Sequence, residues 1–321
     1  MQLNIRHETR YTYATALAYT IQQLHLTPRK EPQQTVLSWN IAMPGHVHAY
    51  TDAYENLSHM MTMDVPHQGL TIVASGVIDT TSPLKGRVPN GERLSPLIFT
   101  APTRLTETTP AILALAGSCL PDGRAQTKDL MSLAEHIFGA VRYQSGATAV
   151  TTTASDALAL GQGVCQDHAH LFLACCHAHG IPARYVSGYI DPEDSGHAAS
   201  HAWVDAWAED KDYIGWISID VTHNRLMTDA YCRLAIGRDY DSAAPVRGVR
   251  RGGGAEGGRQ RGHGGALIRR SQRAAGKQQG AEENRNSNGE HGGSGVVRMP
   301  PASHSFVQGL CGKYQEMMKI D

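Results

Sequence analysis

Long apolar runs are missing from this chain. No stretch approaches the ~18 consecutive apolar residues that a membrane-spanning helix needs, and the opening MQLNIRHETRY holds neither an apolar signal core nor a small-residue cleavage site. We therefore expect a soluble, cytoplasmic protein with no membrane partner. An excess of one charge is missing too: 29 basic and 30 acidic residues nearly cancel. The basic excess beyond residue 250 lacks repeated RGG triplets interleaved with aromatics, so a nucleic-acid partner is not expected. The six cysteines lack the dense spacing of a disulfide-stapled secreted module and read as free thiols. Despite 17 histidines there is no H-E-x-x-H and no paired CxxC, and neither DHAH (167–170) nor CCHAH (175–179) supplies such a pattern. No metal and no organic cofactor is expected, and Cys175 and Cys176 read as core residues.

Residues 1–80 alternate in period two, with Leu3, Ile5, Tyr11 and Tyr13 on one face. Breaks recur at Pro28, Pro32, Pro44-Gly45, Pro66 and Gly69, the rhythm of an all-β sandwich. Residues 81–109 hold scattered prolines and read as a connecting arm. From 110 the pattern becomes α+β. Thr109 with Pro110 marks a helix start, and Leu130, Leu133, Ile137 and Val141 share a second helical face. A third helix should begin at or beside Cys165 and end at Gly180, followed by strands in ARYVSGYI, SHAWVDAW and GWISIDVT. Residues 251–321 are rich in glycine, arginine and asparagine and hold few apolar groups, so disorder is expected there.

The densest chemistry lies in GQGVCQDHAH, 161–170. Two glycines permit a tight turn into the helix, which places Cys165 in the first turn. There, N–H groups without helical partners and the helix dipole favour a thiolate. A nucleophile of this kind needs a base, and the base needs a third group to fix its tautomer. On SHAWVDAW, His201, Trp203, Asp205 and Trp207 share a face. On WISIDVT, Trp216, Ser218, Asp220 and Thr222 do. If the two strands pair with Trp207 opposite Trp216, His201 falls diagonal to Asp220; a register shifted by two puts them directly opposite. Opposed Cβ atoms lie ~5 Å apart and diagonal ones up to ~8 Å, so either register brings Asp220 near the imidazole. Gln166 is a candidate oxyanion donor. Asp167 reads first as a helix cap with a weaker tuning role toward Cys165, and Trp203 as a pocket wall. Taken singly, Cys165 is a buried helix-start cysteine, His201 a strand histidine and Asp220 a strand-end residue; only the ordered set points to catalysis.

GVCQDHAHLFLACCHAHGIPARYVSGY, SHAWVDAW and DVTHNR resemble the Cys, His and Asp segments of the bacterial transglutaminase-like (papain-like cysteine hydrolase) family. HETRYTY, LHLTPR and DAYEN resemble the β domain preceding the core in its two-domain members. The resemblance implies Cys165 as nucleophile, His201 as base and Asp220 as orienting carboxylate, in a core of helices packed on an antiparallel sheet. It implies thiol-dependent acyl transfer on a peptide or protein substrate, by hydrolysis or by transfer to an amine. A non-catalytic scaffold with a basic tail is the rival of another class. Two departures stand out: His168 sits where an aromatic residue is common, and His223 follows Asp220. Related chains also continue beyond RGGG with a further strand, where this one enters its glycine-rich tail.

Overall fold

The computed structural model describes residues 1–89, 91, 93–121, 123–191, 199–252 and 263–271. The N-terminal region is all strand: β1 (Gln2–Leu24), β2 (Gln34–Ala42), β3 (His46–Thr51), β4 (Leu57–Met63) and β5 (His67–Thr80). Its organiser is β1. Buried positions along β1 are odd-numbered from Leu3 to Leu17 and even-numbered from Thr20 to Leu24. The switch falls where pairing becomes irregular, between Thr12 and Tyr19, because one inserted residue turns every later side chain to the other face. The first half of β1 pairs with β5 and the second with β4. Tyr11 and Leu24, one from each half, then share a core with Met61 of β4 and Ile72 of β5, and these strands form one sheet in the order β2-β5-β1-β4-β3 where two packed sheets were expected.

The arm is short and ordered where described. Its strand β6 (Arg87–Val88) pairs with the second sheet, described below, and Phe99 is buried against that sheet. Next come α1 (Pro110–Gly117), capped by the Thr109 hydroxyl, then α2 (Thr127–Ala140) and β7 (Arg142–Tyr143). They are followed by α3 (Ala154–Leu160), β8 (Gln162–Gly163) and α4 (Cys165–Ala178). The sequence reading did not include α3, whose seven residues are too few for periodicity to declare itself.

After α4 the chain enters β9 (Ala183–Ile190), β10 (Ala199–Asp210), β11 (Tyr213–Asp220), β12 (Arg225–Leu226), β13 (Tyr231–Gly237) and the short α5 (Tyr240–Ala243). The core sheet runs β12-β11-β10-β9-β13, antiparallel throughout, with α4 packed on it. Among the described residues no helix is long and apolar enough to cross a membrane.

The two regions meet at β13. Leu3, Ile5 and Ile78 of the N-terminal strands share a cluster with Tyr189, Cys232 and Leu234. Gln34 exchanges two hydrogen bonds with the backbone of Arg233, at 2.9 Å each, and Asn56 does the same with Ile236, at 2.8 and 2.9 Å. Side-chain amides thereby satisfy backbone groups that a neighbouring strand would otherwise have to pair.

Beyond the core, β14 (Val246–Gly252) and β15 (His263–Ser271) both pair with β1. The backbone of 263–271 thus departs from the expectation of disorder. The apolar GALI segment sits opposite the edge that β1 offers, and an unpaired strand edge favours such an addition. The other residues beyond Gly252 lie outside those described.

Candidate active site

Helix α4 explains why so polar a sequence can be buried. Every residue from Cys165 to His177 is buried, so each polar side chain needs a partner. The Asp167 carboxylate turns back to accept from the Val164 N–H at 2.7 Å and from the Thr148 hydroxyl at 2.6 Å. It is therefore the helix cap, and burial pushes its pKa up. Gly163 is required for this: a Cβ there would stand 2.7 Å from the Asp167 Cβ. Gln166 donates to the Val150 carbonyl at 3.0 Å and ties the 144–153 loop to the helix. That bond gives no support to the oxyanion role expected of it. The His168 Nε2–H donates to the Val141 carbonyl at 2.8 Å, which leaves Nδ1 to accept from the Thr222 hydroxyl at 3.0 Å. Burial lowers its pKa, in keeping with a neutral ring. His168 is thus a tether between the cysteine helix and the end of β11. His170 accepts the Tyr240 N–H at 3.1 Å and is another structural residue.

Across from α4, β10 and β11 pair with Trp207 opposite Trp216, the first of the two expected registers. His201 therefore lies diagonal to Asp220, and its Nε2 meets the Asp220 Oδ2 at 2.8 Å. With Nε2 engaged, Nδ1 is the nitrogen left for the Cys165 sulfur, with which His201 is also hydrogen-bonded. The three residues are all buried. Burial alone would lower the His201 pKa, but the Asp220 carboxylate and the Cys165 sulfur outweigh it and push it up to about 10. Burial would likewise raise Asp220, yet His201 and His223 hold it well below the usual carboxylate range. The arrangement favours a protonated His201 ring beside the Asp220 carboxylate.

Sequence reasoning missed most of what surrounds this set. The Asp220 Oδ2 also accepts from the Tyr231 hydroxyl at 2.7 Å and from the His223 Nδ1–H at 2.7 Å, and Oδ1 accepts the His223 backbone N–H at 3.2 Å. His223 reaches back through a tight turn, visible in sequence only as its position three residues after Asp220. Tyr231 arrives on β13, and nothing in its local pattern announces that contact. Trp203 stacks on His201 with ring centroids 6.0 Å apart and planes 25° apart, and its Nε1–H donates to the Ser218 hydroxyl at 3.0 Å. It is a rigid wall behind the imidazole. Gly188, paired with His201 across β9, makes room for it: a Cβ there would stand 2.5 Å from the Trp203 ring and 2.1 Å from the Cys232 carbonyl.

Cys175, Cys176 and Cys232 are buried, and burial raises the pKa of each, Cys175 to about 12. Among the described residues the side chains that could together hold a metal ion are His201, Asp220 and His223, not the DHAH and CCHAH segments weighed from sequence.

A helix-borne cysteine thus faces a histidine–aspartate pair on an antiparallel hairpin. Residues 114–221 match the family model described as the transglutaminase-like superfamily, and residues 3–79 match the bacterial transglutaminase-like N-terminal region. The chain belongs to the transglutaminase-like superfamily, in its bacterial form with a preceding β region. An uncharacterised protein of Mycobacterium leprae is 30% identical over 270 residues, covering 79% of this chain and 95% of its own. An uncharacterised protein of Mycobacterium tuberculosis is 29% identical over 270 residues, covering 76% and 86%. Among solved structures, a candidate cysteine protease from Cytophaga hutchinsonii superimposes with a TM-score of 0.63 over 84% of this chain and 98% of its own, at 20% identity. That likeness is one of fold.

Proposed function

We propose that this protein is a cysteine peptidase or amidase that cleaves peptide or amide bonds through Cys165, His201 and Asp220. The observation that carries the reading is the buried His201 ring bonded on one side to the Asp220 carboxylate and on the other to the Cys165 thiol. The Cys165 thiolate attacks the carbonyl carbon. The negative oxygen of the tetrahedral intermediate is stabilised by the Cys165 amide at the start of α4. His201 gives its proton to the departing amine, leaving a thioester on Cys165. It then takes a proton from water as that water attacks, and the acid and the thiol are released. Asp220 keeps the ring oriented throughout, while His223 and Tyr231 keep Asp220 oriented.

Transfer of the same thioester to an amine would make the protein a cross-linking transglutaminase. The protease assignment of the Cytophaga hutchinsonii neighbour supports the hydrolytic reading. Incubating the protein with glutamine-containing peptides, with and without a primary amine, and weighing the products by mass spectrometry separates the two. Cleaved or deamidated peptide is expected; amine-linked peptide alone would reverse the choice. The thiol itself is tested by iodoacetamide at neutral pH. Labelling should concentrate on Cys165 and vanish there in Cys165→Ala, with Cys175, Cys176 and Cys232 slow because burial keeps their protons on. Uniform labelling of all cysteines would remove the case for catalysis and leave the scaffold reading.

A further inference from the structure

We propose that His201, Asp220 and His223 form a chelating site for a zinc-class divalent cation, and that such an ion reversibly switches off the Cys165 site. The inhibitory half rests on the peptidase reading; the binding half does not.

Two imidazoles aim a nitrogen at one carboxylate, at 2.8 Å from His201 and 2.7 Å from His223. One ligand atom from each of the three residues lies within 4.8 Å of the others. Two histidines and a carboxylate make a ligand set suited to zinc, and an open fourth position can hold water. Zinc–ligand bonds of ~2.0–2.1 Å set neighbouring ligand atoms roughly 3.3–3.5 Å apart, so the present nitrogen–oxygen separations need open by only about 0.6 Å. His223 has the freedom to make that movement, since its side chain is 45% exposed, and the same exposure gives an ion a route from solvent. The Tyr231 hydroxyl remains on Asp220 and holds the carboxylate in place, as outer partners of metal ligands do.

Binding replaces two N–H···O bonds with coordinate bonds: His201 releases its Nε2 proton to solvent, and His223 coordinates through Nδ1 with its remaining proton on Nε2. The consequence for catalysis follows from His201. An imidazole whose Nε2 lone pair is held by a cation has only its Nδ1 proton, and giving that proton up would leave an imidazolate, so the leaving amine loses its proton donor. Cys165 is not among the three ligands.

The test uses the full chain and three proteins: wild type, Cys165→Ala and His223→Gln, each checked for folding by near-ultraviolet circular dichroism. Zinc affinity is read by competition with a chromogenic chelator, and ligand type by the absorption of bound cobalt(II). One ion per chain is expected. It should slow peptide cleavage reversibly, with recovery on adding EDTA. Cys165→Ala should keep the ion, and its cobalt spectrum should show no thiolate charge-transfer band. His223→Gln should weaken binding by roughly tenfold or more. No binding by the wild type, or binding lost in Cys165→Ala but kept in His223→Gln, overturns the proposal. If the metal-free wild type labels no faster at Cys165 than at its other cysteines, the peptidase reading fails while the cobalt spectrum still decides the cation site.

Discussion

Two aspartates on one hairpin, Asp205 and Asp220, are both fully buried and both held below the usual carboxylate range, yet they serve different ends. Asp205 meets the Arg184 Nε at 2.8 Å and the Arg233 guanidinium at 2.6 and 2.9 Å. Asp220 meets His201, His223 and Tyr231. Each arrangement offsets the cost of taking a carboxylate out of water. The difference lies in the partner's proton. A guanidinium keeps its charge at any ordinary pH, so the Asp205 cluster can only hold shape; an imidazole can lose and regain a proton, so the Asp220 cluster can do chemistry. Arg233 links the two, since it also bonds the Ser218 hydroxyl at 3.2 Å, and Ser218 accepts from the Trp203 wall behind His201. Through Glu31, which pairs with both Arg29 and Arg233 at 2.7 Å, the N-terminal region reaches the same cluster.

The largest contrast should come from removing one charge at a time. Asp220→Asn keeps the shape of the side chain but not the charge that holds the imidazolium. Turnover per folded molecule should fall by about 10⁴-fold, with a stability loss that is greatest below about pH 6.5; a rate within tenfold of wild type would remove Asp220 from the mechanism. Asp205→Asn should act on stability alone. Leaving Arg184 and Arg233 without their anion should cost about 3–5 kcal/mol in a urea titration, while the labelling rate at Cys165 in the folded protein stays within a few-fold. Loss of labelling at unchanged stability would show that the two clusters are not separate in role.

A smaller effect is expected from Gly188→Ala. The new methyl group must displace the Trp203 ring and the Cys232 carbonyl, at a cost of about 1–3 kcal/mol, and should also slow labelling by tilting the plane on which His201 rests. Normal stability and labelling would mean that the Trp203 position does not matter.

The subtlest test is the dependence on pH. His201 is raised in the folded protein from an ordinary value of 6.5 to about 10. Its contribution to stability is therefore fully present below about pH 6.5 and is lost as pH rises through about 10. The stability gap between wild type and Asp220→Asn should narrow over that window, and the gap for Asp205→Asn should not, because arginine does not titrate there. Parallel gaps would contradict the imidazolium assigned to His201.

How much of this was legible beforehand depended on distance along the chain. The starts of α1 and α4, the β9–β10–β11 succession and the His201–Asp220 diagonal were all readable. Capping, glycine turns and hairpin pairing are local rules, and the two tryptophans offered a register that the strands adopt. Where Gln166 aims depends on what lies beside it, here the Val150 carbonyl, which no local pattern supplies. His223 was noticed only as an oddity and Tyr231 not at all, although both fix the carboxylate. The strand at His263–Ser271 ran against a composition that suggested disorder.

By itself, then, the sequence determined the three residues of the candidate site and the helix and hairpin that carry them, because each is set by spacing within one element or one turn. Tertiary structure alone decided the partners that hold each buried aspartate, imidazoles and a phenol against Asp220 and guanidiniums against Asp205. Tyr231 on β13, Arg184 on β9 and Glu31 from the N-terminal region come from segments that no local pattern connects.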